Sequence, residues 1–167
     1  MKFTVSIKSI FHCSLERAFK TPMLCDITQV HTGFLFSPKV IGVEDDKDWG
    51  QIGSSKKILV APSITQSGGF FFMDRIIDRQ ENISWKLQVD NFQSWMWGFY
   101  KFEGEWKTAE VKSNEVQVTY NYVLHADKPL LYPINWLFAK LFWKSYMTRV
   151  LENIRVMADN EEPYQYN

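Results

Sequence analysis

Cysteine is nearly missing from this chain: Cys13 and Cys25 are the two in 167 residues. They form no Cys-x2-Cys zinc spacing and no disulfide framework, so each is expected to be a small buried hydrophobe. An excess of one charge is missing too, since 19 basic residues face 19 acidic ones. A nucleic-acid binder needs a basic excess or a Lys/Arg stripe, so that partner class is excluded. Nor is there a long uninterrupted hydrophobic run. Met1 to Lys8 alternates apolar and polar residues as a strand does, without the apolar core of an export signal. Leu130 to Met147, the most apolar stretch, is broken by Pro133, Asn135, Lys140 and Lys144. Those residues exclude stable membrane insertion. The expected setting is a reducing cytoplasm.

Aromatic residues are what the chain has in quantity: seven Trp, seven Tyr and thirteen Phe. They bury large areas without covalent staples, and the length suits one core, so residues 1–167 read as a single domain. Phe3, Val5, Ile7 and Ser9 share one face of a first strand. Ser14 caps a short helix over Leu15 to Lys20. Thr21-Pro22 reads as the start of a second helix, Met23 to about Val30, which stops near Gly33. Phe34 to Val43 is expected as a strand irregular at Pro38. Ile52 to Ala61 and Phe70 to Arg79 flank the turn Ser67-Gly68-Gly69 as a hairpin. Three two-faced strands follow. Their apolar faces are Ile83, Trp85, Leu87 and Val89; then Tyr100, Phe102, Gly104 and Trp106; then Val116, Val118, Tyr120, Tyr122 and Leu124. Such alternation marks an antiparallel sheet with one wet side.

The last element is a helix from Pro133 to about Asn160. It has a wet face with Lys140, Lys144, Thr148, Glu152, Arg155 and Asp159. Ala139, Phe142, Trp143, Tyr146, Val150, Ile154 and Met157 form the buried face. The fold class is therefore α+β: a curved antiparallel sheet of about seven strands around a long C-terminal helix, with two short helices after the first strand. One helix about 10–12 Å across cannot fill such a sheet, so a cavity is expected between them.

This order resembles the helix-grip proteins of the Bet v 1-like, START-related superfamily, with its polyketide cyclase/dehydrase-like and lipid-transport groups. The resemblance spans nearly the whole chain. It rests on Ser9-Ile10-Phe11-His12-Cys13-Ser14-Leu15-Glu16-Arg17-Ala18-Phe19, Gln51-Ile52-Gly53-Ser54, Asp74-Arg75-Ile76-Ile77-Asp78, Gly104-Glu105-Trp106, Val116-Gln117-Val118-Thr119-Tyr120 and the closing helix. It implies a small hydrophobic or amphipathic ligand in the cavity, with catalysis in only some branches and no universal catalytic signature to carry over.

The expected ligand-binding residues are Trp85, Leu87, Phe102, Trp106, Tyr120, Tyr122, Phe142, Tyr146, Val150 and Asn153. A buried tyrosine hydroxyl must find a partner, so the tyrosines are the expected grip on a ligand's polar group. Asp74 becomes a buried acid if Phe72, Asp74 and Ile76 face inward. His12, Cys13, Cys25, Asp26 and His31 are metal-ligand types without paired metal spacing, and Asp45, Asp46 and Asp48 are an incomplete calcium loop, so no metal and no cofactor is expected. Glu103 and Glu105 alternate outward, away from any cavity chemistry. Trp95 and Trp97 sit in a loop between strands, where aromatics either guard a site mouth or fold back on the sheet.

Three functions remain open from the residues alone: a non-catalytic carrier of an apolar molecule, a metal-independent cyclase or dehydratase using Asp74 or a Tyr as acid/base, and an interaction protein with a filled cavity. Leu137 and Leu141 project on the same side of the last helix as Lys140 and Lys144. They therefore need a cover, for which a homodimer or the Trp95–Trp97 loop is preferred over a lipid surface.

Overall fold

The computed structural model describes residues 1–35, 37–63, 66–93 and 98–166. The expected loop aromatics Trp95 and Trp97 lie outside them. Seven strands form one antiparallel sheet: β1 (Lys2–Phe11), β2 (Val40–Glu44), β3 (Ser55–Val60), β4 (Gly69–Gln80), β5 (Ser84–Asp90), β6 (Phe99–Lys112) and β7 (Glu115–Ala126). Their order is β1-β7-β6-β5-β4-β3-β2. The chain thus meanders from β2 to β7, and β1 closes on the far edge beside β7.

Alternation explains the deep side of the sheet. Phe3, Val5, Ile7 and Phe11 of β1 are buried, and β1 pairs with β7 without a break from Lys2↔His125 to Phe11↔Val116. Elsewhere β-bulges shift the phase. A register shift between Phe99 and Lys101 turns Phe99 inward and Tyr100 outward, so Tyr100 does not share the face of Phe102 and Trp106. Ile83 is also exposed, because it sits in the turn before β5 rather than in the strand. The strand expected from Phe34 begins only at Val40. Phe34 and Ser37 bridge each other in a tight loop before it.

Two helices follow β1, but the break falls later than Thr21-Pro22. Helix α1 runs over Leu15–Leu24 with Pro22 inside it, and α2 is the single turn Ile27–Val30. Ser14 caps α1 and Asp26 caps α2, where its Oδ1 accepts from the Thr28 amide at 2.9 Å. Proline lacks the N–H that would bond the carbonyl four residues back, Ala18. That carbonyl instead accepts the Trp106 indole N–H at 3.2 Å. A sheet side chain thereby satisfies the helix interruption, and α1 is pinned to β6.

The C-terminal helix is 31 residues long. It begins as a 3-10 turn (Pro129–Leu131), continues as α3 (Tyr132–Leu137), widens into a π-helical stretch (Phe138–Trp143) and ends as α4 (Lys144–Asp159). Helix α4 buries Tyr146, Met147, Val150, Leu151, Ile154, Met157 and Ala158 against β1 and α1. Among the described residues no helix is long and apolar enough to cross a membrane.

Candidate functional site

Helix and sheet do not close on each other. Between them lies a cavity of about 610 Å³. Its walls are the inward faces of β3 to β7 together with α2 and the C-terminal helix. Of the ten expected residues, Trp85, Leu87, Phe102, Tyr120, Tyr122, Phe142, Tyr146 and Val150 line it. Trp106 and Asn153 do not. Trp106 lies one layer deeper, fully buried, stacked on Trp85 at 5.8 Å between ring centroids and tied to α1. Asn153 turns sideways and donates to the Val30 carbonyl at 2.8 Å, holding α2 against α4.

The tyrosines are organised by a glycine. Gly104 of β6 sits beneath Tyr120 and Tyr122, and a Cβ there would come within 3.1–3.2 Å of both rings. Without one, the two rings settle against the sheet with centroids 4.6 Å apart, and Tyr122 donates its hydroxyl to that of Tyr120 at 2.6 Å. Burial pushes both phenols well above their ordinary range. They are hydrogen-bonding groups and poor bases. Across the cavity, Tyr146 and His31 Nδ1 share a hydrogen bond of 2.6 Å. Burial lowers His31 to about 4, with Lys56 adding to the effect, so the ring is neutral at pH 7; burial raises Tyr146 to about 12. His31 therefore pairs with Tyr146 and not with Asp26, which is occupied as the cap of α2.

The third polar group lies on β3 and β4. Asp74 faces inward with Ile76 and lines the cavity. Directly across the ladder is Lys56, which also faces in. Desolvation raises Asp74 to about 6, opposed by Lys56 and reinforced by Asp90. Burial lowers Lys56. Its ammonium lies 3.9 Å from the centroid of Trp49, whose indole is fixed by donation to the Met23 carbonyl at 2.8 Å. The C-terminal tail closes this corner: the Gln165 amide donates to the Leu24 carbonyl at 2.7 Å, and the Tyr166 ring lies 5.6 Å from the ammonium.

Sequence reasoning did not select Lys56 or Trp49. A signal for Lys56 was present: it has the parity of Ile58 and Val60, the buried face of β3. The remaining acidic candidates are engaged outside the cavity. Glu103 pairs with Lys101 at 2.7 Å and His125 at 3.0 Å, Glu105 with Lys107 at 3.0 Å, and Asp45 with Lys57 at 2.6 Å. Cys13 and Cys25 are free, buried thiols, both raised by desolvation.

A curved antiparallel sheet gripping one long helix around a cavity is the Bet v 1-like helix-grip fold, and this chain has it. The crystal structure of Ara h 8.0201 superposes with a TM-score of 0.64 at 12% identity, covering 95% of this chain and 98% of that one. Norcoclaurine synthase from Thalictrum flavum, solved in complex with dopamine and hydroxybenzaldehyde, gives 0.66 at 10% identity, covering 98% and 90%. A protein of unknown function from Staphylococcus aureus, SA2116, gives 0.70 at 11% identity over 96% of each chain. No family model and no curated sequence relative matches the chain.

Proposed function

We propose that this protein binds a small hydrophobic or amphipathic molecule inside the cavity between sheet and helix. One observation carries the reading: about 610 Å³ lies open within aromatic walls, with buried polar groups converging on it. A space of that size falls in the range of small-molecule sites, and an apolar wall with a few placed polar groups is their usual make-up. The filled-cavity alternative is the weakest of the three for the same reason. Norcoclaurine synthase shows that this fold admits aromatic amines and aldehydes. The two buried free thiols suit a reducing, cytoplasmic setting.

Native mass spectrometry of the purified protein, followed by displacement of a hydrophobic dye with long-chain and aromatic amphiphiles, tests the reading. A co-purified molecule, or saturable one-to-one displacement, is expected. A protein that binds no dye and none of the amphiphiles would overturn it.

A second reading, metal-independent acid–base chemistry, is favoured by Asp74. It is a buried carboxyl in an apolar cavity whose Oδ1 has no hydrogen-bond partner among the described residues. The homodimer is a proposal of its own. Trp136, Leu137 and Leu141 form an exposed apolar strip, with Leu137 52% and Leu141 59% exposed, and a second copy is its proposed cover.

A further inference from the structure

Opposite charges placed across an antiparallel ladder ordinarily meet as an ion pair. Lys56 and Asp74 do not. They are direct partners in the β3–β4 register, and both point into the cavity, 3% and 8% exposed. Yet among the described residues no carboxylate oxygen lies within 4.0 Å of the Lys56 ammonium. The neighbouring charges have gone elsewhere, Lys57 to Asp45 and Arg75 to Asp90. The Lys56 amino group lies instead over the Trp49 ring, a cation–π contact that favours its charged form against the burial that lowers it. Among the described residues, Asp74 keeps a buried, unpartnered oxygen in the cavity wall, and two donors of the same lining, the indole N–H groups of Trp85 and Trp143, have no partner either.

A base and a cation that face one cavity from paired positions on adjacent strands, without an ion pair between them, can both be reached by one ligand. The ligand that uses both at once is a carbonyl compound with hydrogen on the adjacent carbon. We propose that Asp74 and Lys56 form a proton-abstracting pair for a small hydrophobic ketone or related carbonyl compound held in the cavity. The Asp74 carboxylate takes the proton from the carbon next to the carbonyl, and the C–H electron pair becomes the new C=C bond. The carbonyl π pair moves to oxygen, and the Lys56 ammonium hydrogen-bonds the resulting oxyanion. Nothing is oxidised or reduced, and the proton on Asp74 returns to carbon when the step reverses. A carboxyl raised to about 6 suits a base working near neutrality, and exclusion of water by the aromatic walls strengthens the ammonium's hold on the oxyanion.

This inference rests on the cavity being a ligand site, and one experiment separates the two. The probe is 1-tetralone in deuterated buffer. Binding is followed by saturation-transfer NMR, and exchange of the protons next to the carbonyl by loss of their signal. Wild-type protein is expected to bind the ketone and to speed exchange at least 100-fold over the Asp74→Asn variant. The variant should still bind it. Lys56→Met should bind as well and lose at least tenfold in exchange, and 1-tetralol should compete with the ketone in all three proteins. Ketone that binds saturably but exchanges no faster with wild type than with Asp74→Asn overturns the proton-abstracting pair and leaves ligand binding standing. Ketone and alcohol that fail to bind folded wild type overturn both. Asp74→Asn removes a buried charge and is expected to fold; if it does not, the Lys56→Met comparison decides the question.

Discussion

The two halves of the sheet are built differently. From β1 through β7 and β6 to β5, the strands are long and the register shifts fall only near the ends of the β6–β7 pair. Their inward side chains interlock with α1 and α4, down to a fully buried Trp106. From β5 through β4 and β3 to β2, every ladder is broken by a bulge within its span. Here a small separate cluster, Val40, Ile58, Val60 and Phe71, replaces the continuous core. The cavity spans both halves, but its charged groups, Lys56 and Asp74, stand on the half where the packing is interrupted. One half carries the continuous core and the other carries the buried charge.

Mutations in the two halves should therefore read out differently. Trp106→Ala strikes the packed half and leaves the Ala18 carbonyl without its donor. It should cost about 3–5 kcal/mol of stability by urea unfolding. A loss below about 1 kcal/mol would mean that the packed half carries no special weight. Tyr120→Phe sits on the border. The ring stays, but the Tyr122 hydroxyl loses its acceptor, and an amphipathic ligand should bind more weakly by about 1–3 kcal/mol in dye displacement. Identical affinities would remove Tyr120 from the ligand's reach.

Asp74→Asn strikes the open half and should raise stability. The folded-state pKa of Asp74 is about 6 against a reference of 3.8, so the folded protein holds this proton more tightly than the unfolded chain. The cost of keeping Asp74 ionised is complete above pH 6 and fades as pH falls from about 6 to about 3.8. The variant should therefore gain about 1–2 kcal/mol at pH 8, with Lys56 losing its counter-charge offsetting part of the full shift. That gain should shrink toward pH 4. In the same window His31, depressed to about 4, acts in the opposite sense: its contribution is complete above pH 6.5 and lost as pH falls to 4. Thermal melts of wild type and Asp74→Asn from pH 4 to 8 check both signs. Leu141→Glu, on neither half, should change monomer stability by no more than about 0.5 kcal/mol. Sedimentation at several concentrations should show a wild-type dimer that this variant abolishes; a wild type monomeric at all of them ends the dimer proposal.

The contrast between the halves also decided what could be read from the sequence. Val116, Val118, Tyr120, Tyr122 and Leu124 announce their face because nothing interrupts the period of two. Tyr100 was misplaced by one position because the bulge beside Phe99 leaves no mark in composition. Lys56 was overlooked although its parity matched Ile58 and Val60, since a lysine in a short strand is ordinarily solvated. Asp74 was legible only conditionally, through Phe72 and Ile76, because both faces of β4 are apolar. The Thr21-Pro22 signal was sound chemistry in the wrong place: Pro22 is tolerated inside α1 because Trp106, 84 residues later in the chain, satisfies the carbonyl it frees. Local rules cannot see a partner that distant.

The π-helical stretch over Phe138–Trp143 marks where an extra residue has been accommodated in a helix already packed at its other end. A π turn takes one residue more than an α turn for about the same rotation, so the segments on either side keep the faces they would have in an α-helix one residue shorter. Deleting one residue within this stretch is therefore expected to return it to α-helix and to leave Phe138 on the cavity and Leu137 outward. The same deletion in α3 or α4, where no slack is stored, would turn the adjoining segment by about 100°. The chain thus carries a length buffer in the wall of its cavity, a place where one residue can come or go while the side chains that meet a ligand stay the same.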